Sequence, residues 1–236
     1  MSDVFLFGVL PYVSLMLFFV VTIQRYRQRK FSYSSLSTQF LENRRHFWAS
    51  VPFHYGVLAV LAGHVVAFLA PSVVLGWNAA AVRLYALEIT GLALGLLTVV
   101  GFVATVVRRL GDARLRRVST RGDWLLYGLL LLQLSSGVAI AYFHGWGSSW
   151  FASSATPWLR SLLRLAPDVS YVAPLPWVVK LHFVNAWVLI GFFPFTRLVH
   201  VLVVPNMYLW RRPQLVLWNR RERHDAGAAA RRAVSA

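Results

Sequence analysis

The chain contains no cysteine. That excludes disulfides, a cysteine-ligated iron–sulfur cluster and a c-type haem attached through C-x-x-C-H within this polypeptide. Acid is nearly as scarce. Eight Asp and Glu stand against 24 Lys and Arg, for a formal net charge of +16, and charged residues are only 14% of the 236. A soluble domain carries about a quarter charged residues. An excess of positive charge in a soluble protein would suggest nucleic acid. Here the basic residues gather at the ends of long apolar runs, which is how membrane topology is written, and nucleic acid is not expected as a partner.

What is abundant is apolar: 58% of residues, with a mean hydropathy of +0.57. Five runs of the length needed to cross a bilayer stand out, at about 4–23, 50–70, 82–107, 124–143 and 177–204. The expected fold is all-α, an integral membrane bundle of five transmembrane helices. The third and fifth runs are long, and Pro194 inside the fifth predicts a bend there. The first run carries its positive charge after its core rather than before it, so it reads as a retained helix and not a cleaved signal. Residues 1–213 form one membrane domain in this reading, and 214–236 a basic cytoplasmic tail.

The connections alternate in charge. Arg25, Arg27, Arg29, Lys30, Arg44 and Arg45 follow the first run, and Arg108, Arg109, Arg114, Arg116, Arg117 and Arg121 follow the third. Arg211, Arg212, Arg220, Arg221, Arg223, Arg231 and Arg232 follow the fifth, while Pro71–Ala81 has no Lys or Arg. The 144–176 connection has only Arg160 and Arg164. The positive-inside rule therefore places the N-terminus outside and the C-terminus in the cytoplasm. The polar 31–47 connection is expected on the cytoplasmic face or against a partner, and Trp158–Leu165 as a short interfacial helix. Topology accounts for most of the basic surface; docking an acidic partner and binding anionic lipid are the further readings.

Ionisable side chains inside a spanning helix are costly and have a partner or a task. His46, His144 and His224 fall at edges or in loops. His54 and His64 lie within the second run, ten apart, and His182 and His200 within the fifth, eighteen apart. Any one of them could be a histidine hydrogen-bonded across the bundle. Two from each of two helices point instead to haem iron held from both sides. Antiparallel helices match His54 with His200 on the cytoplasmic side and His64 with His182 on the external side. With no cysteine, two b-type haems are expected. The rises do not match for straight helices, about 15 Å against about 27 Å.

Gly56, Gly63 and Gly137 suit close approach of a porphyrin or ordinary helix packing. Arg109 and Arg197 are candidates for the propionates of the cytoplasmic-side haem, although positive-inside charge alone would account for both. Arg83 opens the third run on the arginine-poor side, level with His64. It reads either as a snorkelling side chain or as a hydrogen-bonding residue beside a quinol headgroup, with Trp77, Tyr85 and Glu88 near in sequence. Glu88 is a candidate for proton release or for pairing with Arg83, which lies five residues earlier and is poorly placed for it.

The stretches FHYGVLAVLAGH, LHFVNAWVLIGFFPFTRLVH and TRGDWLLYGLLLLQLSSG resemble the gamma subunit of respiratory nitrate reductase, from the first helix to about Pro213. The resemblance implies a dihaem cytochrome b of a prokaryotic cytoplasmic membrane. It implies oxidation of menaquinol or ubiquinol near the external haem. Electrons then pass through both haems to an iron–sulfur beta subunit and a molybdenum alpha subunit on the cytoplasmic side, where nitrate is reduced to nitrite. The family's ligands fall on His54, His64, His182 and His200, and its quinol-site basic residue, commonly lysine, falls on Arg83. A dihaem subunit serving sulfur or heterodisulfide chemistry and a haem-free transport or assembly protein are the alternatives.

Overall fold

The computed structural model describes residues 2–28, 32 and 46–203. The tail from residue 204 and most of the 29–45 connection lie outside the described residues, as do the expectations made for them. The described chain is all-α. Its five spanning helices are α1 (Ser2–Gln28), α2 (His46–Leu69), α3 (Ala81–Gly111), α4 (Arg121–Phe143) and α5 (Trp177–Phe192). All five are long and apolar enough to cross a membrane, the fifth when the turn that follows it is counted, over Trp177–Phe195. Extensive contacts run α2 on α3, α3 on α4, α4 on α5 and α5 on α1. The outer flanks of the helices expose Leu, Val and Phe, as a lipid-facing surface does.

Local chemistry sets the ends of these helices. Thr120 caps α4 by accepting the Asp123 N–H at 3.2 Å, and the Asp123 carboxylate accepts the Thr120 N–H at 2.8 Å, a reciprocal capping box. Two glycines let α2 and α3 cross closely. A Cβ on Gly101 would lie 2.4 Å from the Phe53 nitrogen, and one on Gly56 would lie 2.3 Å from Thr98 Oγ1. No side chain fits at either point without moving a helix.

The connection between α4 and α5 closes one end of the bundle. It folds through Gly147–Trp150, a π-helical turn at Phe151–Ala155 and a short helix, Thr156–Leu163. A short helix expected over Trp158–Leu165 is present as Thr156–Leu163, with Trp158 and Leu162 turned inward. Trp158 is buried to 1% exposure, stacks on Phe183 with centroids 5.3 Å apart, and meets Phe7 edge-on. Phe7, Ile140, Ala155, Trp158, Leu162, Val172, Val179 and Phe183 make the largest core cluster at this loop end. The Trp158 indole N–H also donates to the Phe7 carbonyl at 3.0 Å. Pro11, four residues on, has no N–H to offer that carbonyl, so the loop supplies one.

The same logic governs the far end of α2. Its last carbonyls would be orphaned where the chain breaks at Ala70. Thr156 donates to the Ala67 carbonyl at 3.2 Å, and Arg160 donates to those of Phe68 and Leu69.

The predicted break at Pro194 is present. The α-helix stops at Phe192, Phe193–Phe195 form a 3-10 turn, Thr196 is extended, and Arg197–Val203 continue as 3-10 helix. Leu198 N–H donates to Thr196 Oγ1 and not to a helix carbonyl. Arg25 of α1 serves the carbonyls left over, donating to Pro194 O and Thr196 O. The straight-helix rise from His182 to His200 therefore does not apply.

Candidate functional site

Polar side chains inside this bundle gather at three places. At the arginine end, Arg197 pairs with Asp123 in a two-pronged bridge: Nε to Oδ1 and Nη2 to Oδ2, each at 2.7 Å. Nη2 also donates to the Val118 carbonyl at 2.9 Å. Asp123 is buried, so one carboxylate caps α4 and anchors the segment beyond the α5 break. Arg109 is buried beside this pair. Its Nη1 donates to Ser119 Oγ at 2.7 Å and its guanidinium lies 5.5 Å from the centre of the Tyr127 ring. Its Nε has no hydrogen-bond partner among the described residues.

Near the loop end, Arg83 turns back onto the short helix Pro71–Asn78. It donates to Trp77 O at 2.9 Å and Gly76 O at 3.2 Å, and lies over the Trp77 ring, whose Nε1–H donates to Arg83 O. Glu88 accepts the Gly147 N–H, the Ser148 N–H and the Ser148 hydroxyl, at 3.2, 2.9 and 2.6 Å. Its carboxylate thus holds the start of the α4–α5 connection, and no bond to Arg83 is found among the described residues.

The four histidines of the second and fifth apolar runs divide three to one, with His54 and His64 on exposed faces of α2. His54 Nδ1 lies 2.7 Å from Ser50 O, His64 Nδ1 2.8 Å from Val60 O, and His200 Nδ1 2.6 Å from Arg197 O. A carbonyl only accepts, so in each ring Nδ1 carries the proton and Nε2 holds the lone pair. Each partner belongs to the ring's own helix, three or four residues back. The Phe151 ring packs edge-on against His64, with centroids 5.2 Å apart. His182 is held differently, by Gln133 and Ser136 of α4. His64 lies within electrostatic range of His182.

This donor set fits haem iron. Imidazoles with Nδ1–H held by a carbonyl present Nε2 to a metal in a fixed orientation. No three His, Asp or Glu side chains converge on a bare ion site among the described residues. A Cβ on Gly63 would meet nothing within 4 Å, leaving room beside His64, whereas the close approach made by Gly56 is to α3. His182 Nε2 lies 3.0 Å from the Gln133 amide nitrogen, so an iron held there would compete with that amide for one lone pair and would require the amide to turn aside.

Gln133, Ser136, Asn185, Asp123 and Trp158 were not among the residues expected from the sequence. Gln133 and Asn185 carried a usable signal, since an amide inside an apolar run needs a partner. Trp158 carried none, because an interfacial tryptophan and a buried one have the same sequence context.

A match to the family described as nitrate reductase gamma subunit covers residues 3–219. The chain is 34% identical over 214 residues to the nitrate reductase gamma chain of Bacillus subtilis, covering 89% of this chain and 96% of that one. It is 31% identical over 220 residues to the respiratory nitrate reductase 2 gamma chain of Escherichia coli, covering 91% and 96%. A nitrate reductase-like protein of Mycobacterium tuberculosis matches at 30% over 91% of this chain but only 33% of its own length.

Proposed function

This chain belongs to the nitrate reductase gamma subunit family, and we propose from that premise how its residues do the family's work. The chain is a quinol-oxidising membrane subunit that feeds electrons toward the catalytic subunits of a quinol:nitrate oxidoreductase. In this reading His64 and His182 hold one b-type haem and His54 and His200 the other. When bound, two such haems supply one-electron carriers between a two-electron donor and the next subunit. The partners are an iron–sulfur beta subunit and a molybdenum alpha subunit on the cytoplasmic side, facing the arginine-rich connections. The membrane is the cytoplasmic one, with the N-terminus and the loop end external.

The observation that carries this reading is the proton placement on His54, His64 and His200, each with Nδ1–H on a main-chain carbonyl and Nε2 left as donor. Gly63 leaves space beside one ligand, and Gly56 seats α2 against α3. Arg109 and Arg197 face the propionates of the inner haem in this reading. Arg109 has a buried Nε to offer, while Arg197 is already engaged by Asp123. Arg83, exposed near the loop end and clamped on Trp77, presents charge where menaquinol or ubiquinol binds. The part of the external connection packed inward around Trp158 keeps water from that end of the bundle, and quinol protons leave to the outside.

Replacing one ligand tests the assignment. His64→Ala is expected to lose the outer haem and keep the inner one, read by optical and EPR redox titration of membranes. Survival of both haem signals unchanged would refute it. Arg83→Ala is expected to slow quinol oxidation with both haems retained, and unaltered quinol-dependent turnover would remove Arg83 from the site. Orientation is open to labelling, since the chain has no cysteine of its own. A cysteine at exposed Ser153 should react with an impermeant maleimide from outside, and one at exposed Val118 should not.

A further inference from the structure

Three of the four histidines take their Nδ1 partner from the main chain of their own helix. His182 takes side chains from another helix, and the partners of those side chains orient them. Asn185 Nδ2 donates to Gln133 Oε1 at 2.8 Å and to Leu129 O at 3.0 Å. Gln133 therefore turns its oxygen to Asn185 and its nitrogen to His182, 3.0 Å from Nε2 and 3.2 Å from Nδ1. The Ser136 hydroxyl donates its one proton to Gln133 O at 3.0 Å, so toward His182 Nδ1, 2.9 Å away, it accepts. The proton between them belongs to the imidazole. Ser136 and Asn185 are buried, so neither bond is replaced by water. Gly137 makes the berth: a Cβ there would lie 3.1 Å from His182 Cε1, tighter than an ordinary contact.

We infer that Ser136 is a positioning residue for His182, and that its hydroxyl sets the donor strength of this one ligand and hence the potential of the outer haem separately from the inner. The inference rests on the haem reading above. An acceptor on Nδ1–H makes the imidazole a stronger base toward the metal. A stronger base favours the ferric over the ferrous state and lowers the midpoint potential. A hydroxyl that already donates to a carbonyl is polarised and accepts better. The other three ligands use main-chain carbonyls that no side-chain substitution removes, His54 having the Ser50 hydroxyl at 3.2 Å in addition. His182 is held by side chains, so deleting the Ser136 oxygen acts on this ligand and leaves the other three in place.

The test is redox titration of both haems, by absorbance and EPR, in membranes holding the full complex, with the outer haem identified by its loss in His64→Ala. Wild type must show two b-type haems; if it does not, the haem reading falls, and this inference with it. With two haems present, Ser136→Ala is expected to move the outer midpoint positive and change its ferric EPR signal, leaving the inner midpoint in place. Ser136→Thr, which keeps the hydroxyl, should restore the wild-type value. An unshifted outer midpoint in Ser136→Ala, equal shifts of both haems, or a threonine variant displaced as far as alanine would each overturn it. Should Ser136→Ala fail to assemble, Ser136→Cys keeps the volume with a weaker acceptor. A positive shift confined to the outer haem then supports the inference, and none overturns it.

Discussion

The two ends of the bundle solve one problem with different chemistry. At each end a helix is broken and leaves main-chain carbonyls that a membrane interior cannot hydrate. At the loop end the donors come from the α4–α5 connection folded back into the core: Trp158 on Phe7, Thr156 on Ala67, and Arg160 on Phe68 and Leu69. At the arginine end guanidinium groups do it, Arg25 on Pro194 and Thr196 and Arg197 on Val118. Arginines that write the topology thus also repair the break in the helix bearing two histidines. A loop that looks like a solvent-side connection is, in the fold, half of the packed core.

The comparison can be broken at either end. Trp158→Ala removes the centre of the loop-end core and the donor to Phe7 O. It should cost about 3–5 kcal/mol, read as a lowered unfolding midpoint in detergent. Asp123→Ala removes the partner of Arg197 and the α4 cap at once. Because Arg197 keeps some solvent contact, about 2–4 kcal/mol is expected. Asp123→Asn sharpens this result, since it keeps a capping oxygen and removes only the charge. Arg25→Met strips two carbonyl caps from the Pro194 break, and about 1–3 kcal/mol should follow. On the proposed haem assignment, that change should loosen His200 more than His182, read as weaker retention of the inner haem. Thr156→Val is the smallest, about 0.5–1.5 kcal/mol for one hydrogen bond to Ala67 O, with both haems undisturbed.

Much of this was legible before any coordinates. The five runs and the break at Pro194 follow from hydropathy and from proline's missing N–H, both local properties. Candidate ligands were legible too, because imidazoles in an apolar run are conspicuous. What sat around them was not. Gln133 and Ser136 lie 49 and 46 residues from His182 along the chain, and no periodicity joins them. Glu88 read as a proton carrier or an Arg83 partner, but its three bonds reach Gly147 and Ser148, about sixty residues away. Asp123 was visible only as part of a TRGD stretch, and its second role depends on Arg197 arriving from beyond the α5 break.

Composition and spacing alone settled that this chain is a bundle of five membrane-length helices with two histidines within each of two apolar runs, the second and the fifth. Those are consequences of which side chains tolerate lipid and of helical rise, and both act residue by residue. The tertiary structure decided which histidine is held by side chains and not by its own backbone, which glycines seat helix against helix, and which arginines cap carbonyls. Each of those depends on a donor meeting an acceptor from a different helix, and only the packed bundle brings the two together.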